Sequence, residues 1–284
     1  MTFVRKVIDF FLFGNIYIAF CAAALVQSTS FQLGIESQLT QYTLLTFFAT
    51  LFLYNLQRIF YTSHTEDKSL NSIRRKWIFE NQFSIKGLAL IGFLGASFLF
   101  FSYFKHILIY LLPLLLLSLG YFFPLVKLRK NAWLKLLTLV FVWTMVTAAI
   151  PIVLSSETIL SLKNLVHIAA RCFFMVGICL PFDIRDVYID SAENISTLPR
   201  ILGEKKTRLI AFAFMLLYLV LILVEYLIGV FKIEVTIALL LSAIINIVIV
   251  LMSNSKRSEY FYIAGIDGTM LVQLILLLFL VNCM

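Results

Sequence analysis

The sequence predicts an all-α, polytopic integral membrane protein: one domain over residues 1–284, folded as a bundle of nine transmembrane helices. Three observations carry that expectation. Of the residues, 62% are hydrophobic and only 13% charged, with a mean hydropathy of +0.99, well outside the range of soluble domains. Apolar runs of about 20 residues, the length a helix needs to cross the hydrocarbon layer, recur nine times. The 23 Lys and Arg residues are also sorted, with 19 in the N-terminal tail and every second loop.

The runs lie near residues 7–28, 41–61, 86–104, 107–126, 133–154, 162–182, 209–231, 235–253 and 261–283. The first follows Arg5 and Lys6 and contains Ala22, Ala23 and Ala24, features it shares with a signal peptide; we read it as a retained span. Away from the basic side stand only Lys105, Lys163 and Lys232, with Arg171 inside a span. This bias places the N-terminus in the cytoplasm and the C-terminus outside, in a membrane read as the bacterial inner membrane. The net charge of +8 is accounted for by these loops, and nucleic acid is not expected as a partner. Cys21, Cys172, Cys179 and Cys283 are scattered through apolar segments without the spacing of a zinc site or a disulfide framework.

The two longest polar segments, about 62–85 and 183–208, follow spans two and six and form expected cytosolic caps. Span two ends in Asn55, Gln57 and Arg58, whereas span six runs into LPFDIRDVYIDSAENISTLPRILGEKKTR. If the helix continues, Asp183, Asp186 and Asp190 fall at i, i+3 and i+7, on one face about 10 Å long. Three carboxylates at a helix C-terminus repel one another and face the negative pole of the backbone dipole, so they call for a cation. With Arg200, Lys205, Lys206 and Arg208 nearby, a divalent metal bridging a polyphosphate would satisfy both sets of charges; a solvated acidic turn is the plainer alternative.

DIRDVYID followed by STLPRILGEKKTR resembles the second aspartate-rich motif of the UbiA superfamily of intramembrane prenyltransferases. GYFFPLVKLRKNAWLK resembles that family's loop after the fourth span, and nine spans agree with its fold. The resemblance implies transfer of a prenyl group from an isoprenoid diphosphate to a lipophilic, electron-rich acceptor, with Mg2+ as cofactor and membrane lipid around the bundle. It makes Asp183, Asp186 and Asp190 the metal ligands, sets Lys127 and Lys130 on diphosphate oxygens, and turns Tyr121 toward the allylic cation. Asn15 resembles a polar position near the family's site; an interhelical hydrogen bond is an equal reading.

The chain departs from the family at the first motif, N-D-x-x-D-x-x-x-D. In YNLQRIFYTSHTED, Asn55 remains, but Leu56, Ile59 and Ser63 stand where carboxylates belong, with His64, Glu66 and Asp67 slightly later. A bound diphosphate of about −3, added to three aspartates, calls for several positive charges, and one magnesium ion together with Arg58, Lys127 and Arg75 supplies about +5. Alternatively, Arg58 pairs with Asp183 or Asp186 and leaves a non-catalytic relative that binds or presents an isoprenoid lipid or quinone. Spans two and six are expected to be neighbours, with Asn55 and Arg58 facing Asp183 and Asp186 across one cavity. Arg171, costly in lipid, is expected to pair with Glu225 or Asp267, and His167 to serve helix packing. A transporter is disfavoured because no matching pair of Gly/Pro-broken helices is evident.

Overall fold

A computed structural model of the chain describes residues 3–35, 39–64, 72–122, 131–192 and 194–283. Among them there is no strand. Eight stretches are long and apolar enough to cross a membrane. One of these, Gln82–Tyr121, has 40 residues and as a straight helix would be about 60 Å long, twice the hydrocarbon thickness. It is instead two crossings, α5 (Gln82–Leu99) and α6 (Leu108–Phe122), joined through a π turn and a 3-10 turn that meet at Phe104, whose φ of −122° and ψ of 11° leave the helical region. Phe104 and Ile107 pack beside Tyr42 at one end of the bundle, while Tyr121 lies beside Lys135 at the other, so the chain reverses between them.

The first span differs from expectation. It is not 7–28 but α2 (Ile16–Leu33), because Asn15 adopts the left-handed conformation (φ 62°) and ends the preceding helix, α1 (Phe3–Phe13), at the Gly14–Asn15 step. With 11 residues α1 is too short to cross a bilayer; it buries Asp9, Leu12 and Phe13 and exposes Phe3, Val4 and Val7. The remaining helices are α3 (Leu39–His64), α4 (Ile73–Glu80), α7 (Ala132–Thr144), α8 (Ile150–Leu154), α9 (Leu162–Ala192), α10 (Leu198–Leu202), α11 (Glu204–Leu227), α12 (Ile233–Leu251) and α13 (Gly268–Cys283). The expected cap over 183–208 is therefore largely helical: α9 continues through Pro181 and all three aspartates to Ala192.

The helices form a ring. α2 packs on α3 and α13, α3 on α5, α6 on α7, α7 on α9, α9 on α11, and α12 between α11 and α13. α3 and α9 both line the cavity inside the ring, as expected for spans two and six, but among the described residues they are not packed neighbours: α3 packs on α2 and α5, and α9 on α7 and α11. The closest crossing is that of α5 on α3, where Gly92 lets the backbones meet: a Cβ there would lie 2.6 Å from the Phe52 nitrogen and 2.9 Å from the Phe48 oxygen. Gly92→Ala must push α3 and α5 apart, and is expected to destabilise the bundle by about 1–3 kcal/mol, read as a lowered midpoint of thermal unfolding in detergent.

Candidate substrate-binding site

A cavity of about 1080 Å³ occupies the centre of the ring. One end is charged: Arg58 from α3, Arg74 and Arg75 from α4, Lys135 from α7, Asp183, Arg185 and Asp186 from α9, and Asp267 at the head of α13. The other end is apolar, walled by Tyr42, Leu45, Leu108, Leu111, Leu114 and Val146. Tyr121 lines the cavity between them, as do Tyr54 and Trp143. The shape and polarity fit an amphiphile with an anionic head and a long hydrocarbon tail.

The aspartates are not left to repel one another. Lys135 Nζ lies 2.7 Å from Asp183 Oδ1 and 3.0 Å from Asp190 Oδ2, with all three side chains almost fully buried. Two carboxylates two helical turns apart share one ammonium, and α7 is thereby fixed to α9. Asp186 turns instead to Arg185, whose Nε and Nη2 each donate at 2.8 Å in a bidentate pair. The Arg185 guanidinium stacks 4.9 Å from the Phe182 ring and 5.7 Å from that of Tyr262. Asp183 and Asp186 reach the cavity wall, whereas Asp190 lies behind, wholly buried and not part of the lining. Asp183 and Asp190 thus pair with Lys135, and Asp186 with Arg185.

On the opposite wall, Arg74 is partly buried, and its guanidinium is pulled down to about 9 by that burial and by the charges of Arg185 and Arg58; Asp186 and Glu259 act in the other direction. Three guanidiniums thus converge on the mouth. Asn15 lines the cavity, but Asn55 does not: fully buried, it donates Nδ2 to the carbonyls of Gly14 (3.0 Å) and Leu51 (2.8 Å), while its Oδ1 accepts from Asn15 Nδ2 at 3.0 Å. It bonds the backbone of the α1–α2 break to α3, so the polar end of span two is divided between a helix joint and the site. Lys127, Lys130, Glu66, Asp67 and the side chain of His64 lie outside the described residues. Arg200 closes the turn after α9 by donating to the carbonyls of Asp190 and Ile195, and Arg208 donates to that of Ser253 at 2.7 Å; neither lines the cavity.

Arg171 is buried, but not in the salt bridge expected of it. Its Nη2 donates to Thr29 Oγ1 at 3.1 Å, and Glu225 pairs with His167 at 2.8 Å, giving His167 a bonding role beyond packing. Asp267 stands in the main cavity.

Sequence reasoning missed Lys135 and Arg74 as site residues, and Arg185 as the partner of Asp186. Lys135 carried a readable signal: it sits in the first turn of an apolar span, among Leu134, Leu136 and Leu137, where a cation needs a counter-charge. For a metal, no three His, Cys, Asp or Glu side chains among the described residues converge on one point. Asp183 Oδ2, however, is buried without a hydrogen-bond partner at the cavity wall. Magnesium is commonly held by one or two carboxylates with substrate phosphates completing its shell. The residues therefore fit an ion that enters together with a diphosphate.

No family model matches the sequence, and no curated protein matches it significantly. Solved structures do match. A UbiA homologue from Archaeoglobus fulgidus bound to GPP and Mg2+ superposes with a TM-score of 0.66 at 10% identity, covering 96% of this chain and 99% of that one. The A. fulgidus homologue bound to DMAPP and Mg2+ gives 0.62 at 11%, covering 97% and 99%. A digeranylgeranylglyceryl phosphate synthase gives 0.58 at 14%, covering 98% of each chain. The chain therefore has the fold of the UbiA homologues over nearly its whole length.

Lys135 should be indispensable to the wall it supports. Lys135→Met leaves two buried carboxylates without their ammonium and is expected to cost about 3–5 kcal/mol of stability. Adding Asp190→Asn should recover part of that loss in thermal unfolding.

Proposed function

We propose that the cavity binds an isoprenoid diphosphate, head at the charged mouth and tail in the apolar chamber, and transfers its prenyl group to a lipophilic, electron-rich acceptor. The observation that carries this reading is the joining of a guanidinium cluster to a long apolar chamber in one cavity. The matched A. fulgidus homologue, bound to GPP or DMAPP with Mg2+, supports it.

Arg58, Arg74 and Arg75 would bind the diphosphate oxygens, joined by Lys127 and Lys130 from the loop after α6. Asp183 and Asp186 would hold a single Mg2+ that arrives with the diphosphate and adds positive charge against the leaving group. Asp190 keeps Lys135 in place. When the allylic C–O bond breaks, its electron pair leaves with the diphosphate, where fixed cations stabilise the growing charge without reorganising. Ring faces such as Tyr121 stabilise the carbon left positive, and the apolar walls keep water from it until an acceptor carbon supplies the new bond and loses its proton. The acceptor is expected to be lipophilic because it must share the same chamber.

In calorimetric titration of geranyl diphosphate into the purified protein, binding is expected to strengthen with Mg2+. Arg74→Ala should weaken it by roughly 10–100-fold, one lost charge-assisted contact. Asp183→Asn should remove most of the Mg2+ dependence. Absence of binding by the parent under all conditions would sink the proposal.

One observation favours a second reading, a non-catalytic relative that binds an isoprenoid lipid: the aspartates already have internal cations in Lys135 and Arg185. Geranyl diphosphate bound with Mg2+ but never cleaved to inorganic diphosphate, with any acceptor offered, would decide for it.

We also place the charged mouth on the cytoplasmic side, from the basic-residue bias. A reporter inserted near Asn71 should then be cytoplasmic and one fused after Met284 extracytoplasmic; finding both on one side would overturn this topology.

A further inference from the structure

The geometry points to Glu259, in the segment entering α13, as the positioning residue of the arginine wall: it clamps the N-terminus of α4 and so holds Arg74 and Arg75 over the mouth for an anionic phosphate headgroup. This deepens the diphosphate reading above and rests on it.

α4 has eight residues and buries only Ile78, too little for so short a helix to hold its own place. Its start is fastened from outside. Ser72 caps it, Oγ accepting from the Arg75 N–H at 3.2 Å, and the same hydroxyl donates to Glu259 Oε1. The other carboxylate oxygen accepts directly from the Arg74 N–H at 3.0 Å. One side chain thus fixes the cap and satisfies a free N–H, and places negative charge at the positive pole of the helix.

Glu259 does not line the cavity, so it acts through α4. The Glu259 oxygens holding α4 bond to a backbone N–H and a hydroxyl rather than to the Arg74 guanidinium, whose Nε is buried without a hydrogen-bond partner. Its charge also faces Arg74 and Arg185, offsetting the repulsion in that cluster. The next residue extends the joint: Tyr260 OH donates to Asp9 on α1, and Trp77 of α4 packs against Phe10 and Phe13. α1, α4 and the entry to α13 therefore form one unit beside the mouth.

The test uses the full chain in detergent with Glu259→Ala, Glu259→Gln and, as a control for disturbance of the segment, Tyr260→Phe. Hydrogen exchange over 73–80 is read without ligand, and inorganic pyrophosphate is titrated with Mg2+. In Glu259→Ala, exchange in α4 should quicken about tenfold, the effect of losing one N-terminal cap, and pyrophosphate should bind about tenfold more weakly. Glu259→Gln, which keeps an acceptor but loses the charge, should lie between, and carries the test if Glu259→Ala fails to fold. Tyr260→Phe should keep the parent's pyrophosphate affinity. Unchanged α4 exchange in Glu259→Ala overturns the clamp; faster exchange with unchanged affinity overturns its positioning role. A parent that binds no pyrophosphate counts instead against the diphosphate reading, and the exchange result stands apart from it.

Discussion

The bridge from Lys135 to Asp183 and Asp190 fixes the geometry on which the site depends. Removing an ammonium and two carboxylates from water costs several kcal/mol for each ion, and the cost is offset only when all three meet closely. They do, at 2.7 and 3.0 Å. Sliding α7 along α9 by one residue would separate the ammonium from both acids, so the triad acts as a register device. With α9 set in this way, Asp186, Arg185 and Phe182 fall along the cavity wall in the order observed.

The opposing wall has the reverse character. Arg58 and Arg74 face Arg185 across the mouth, and burial together with their mutual charge lowers the guanidinium of Arg74. Such a cluster is unfavourable without an anion, and its fixed acids only partly relieve it. The apolar chamber beneath prevents water from doing so at depth. The proposed amphiphile with a phosphate head would relieve the cluster and fill the chamber at once, which ties the two halves of the cavity to one ligand.

Much of the bundle was legible in the sequence because the bilayer imposes a length on every span and a sign on every second loop. Spans five to nine fall close to where the apolar runs put them, and Gln82–Tyr121 reads correctly as two crossings, the chain turning back at Phe104. The failures have local causes. Asn15 ends α1 by adopting a left-handed conformation, which an apolar run conceals. Asn55, prominent as the survivor of a degenerate motif, serves a helix joint because its amide is consumed by Gly14 and Leu51. Lys135 as a partner of Asp183 and Asp190 was not foreseen because it arrives from 48 residues before Asp183, while Arg200 and Arg208, close along the chain, turn to backbone carbonyls. Charge requirement was readable; which cation met it depended on helix packing.

Leu56, Ile59 and Ser63 stand where first-motif carboxylates belong, while arginines from α3 and α4 face the mouth, and this changes what the site would have to do after the proposed transfer. Two acidic walls hold a diphosphate only through metal ions, which can depart with it. Here guanidiniums form one wall, so fewer ions would be needed to bind the proposed substrate, and a product diphosphate would remain facing fixed charge. Those charges sit on unequal supports: Arg58 belongs to the 26-residue α3, whereas Arg74 and Arg75 ride on an eight-residue helix fastened at its N-terminus. If the site binds a diphosphate as proposed, the hold on α4 sets how firmly two of its guanidiniums meet the head group.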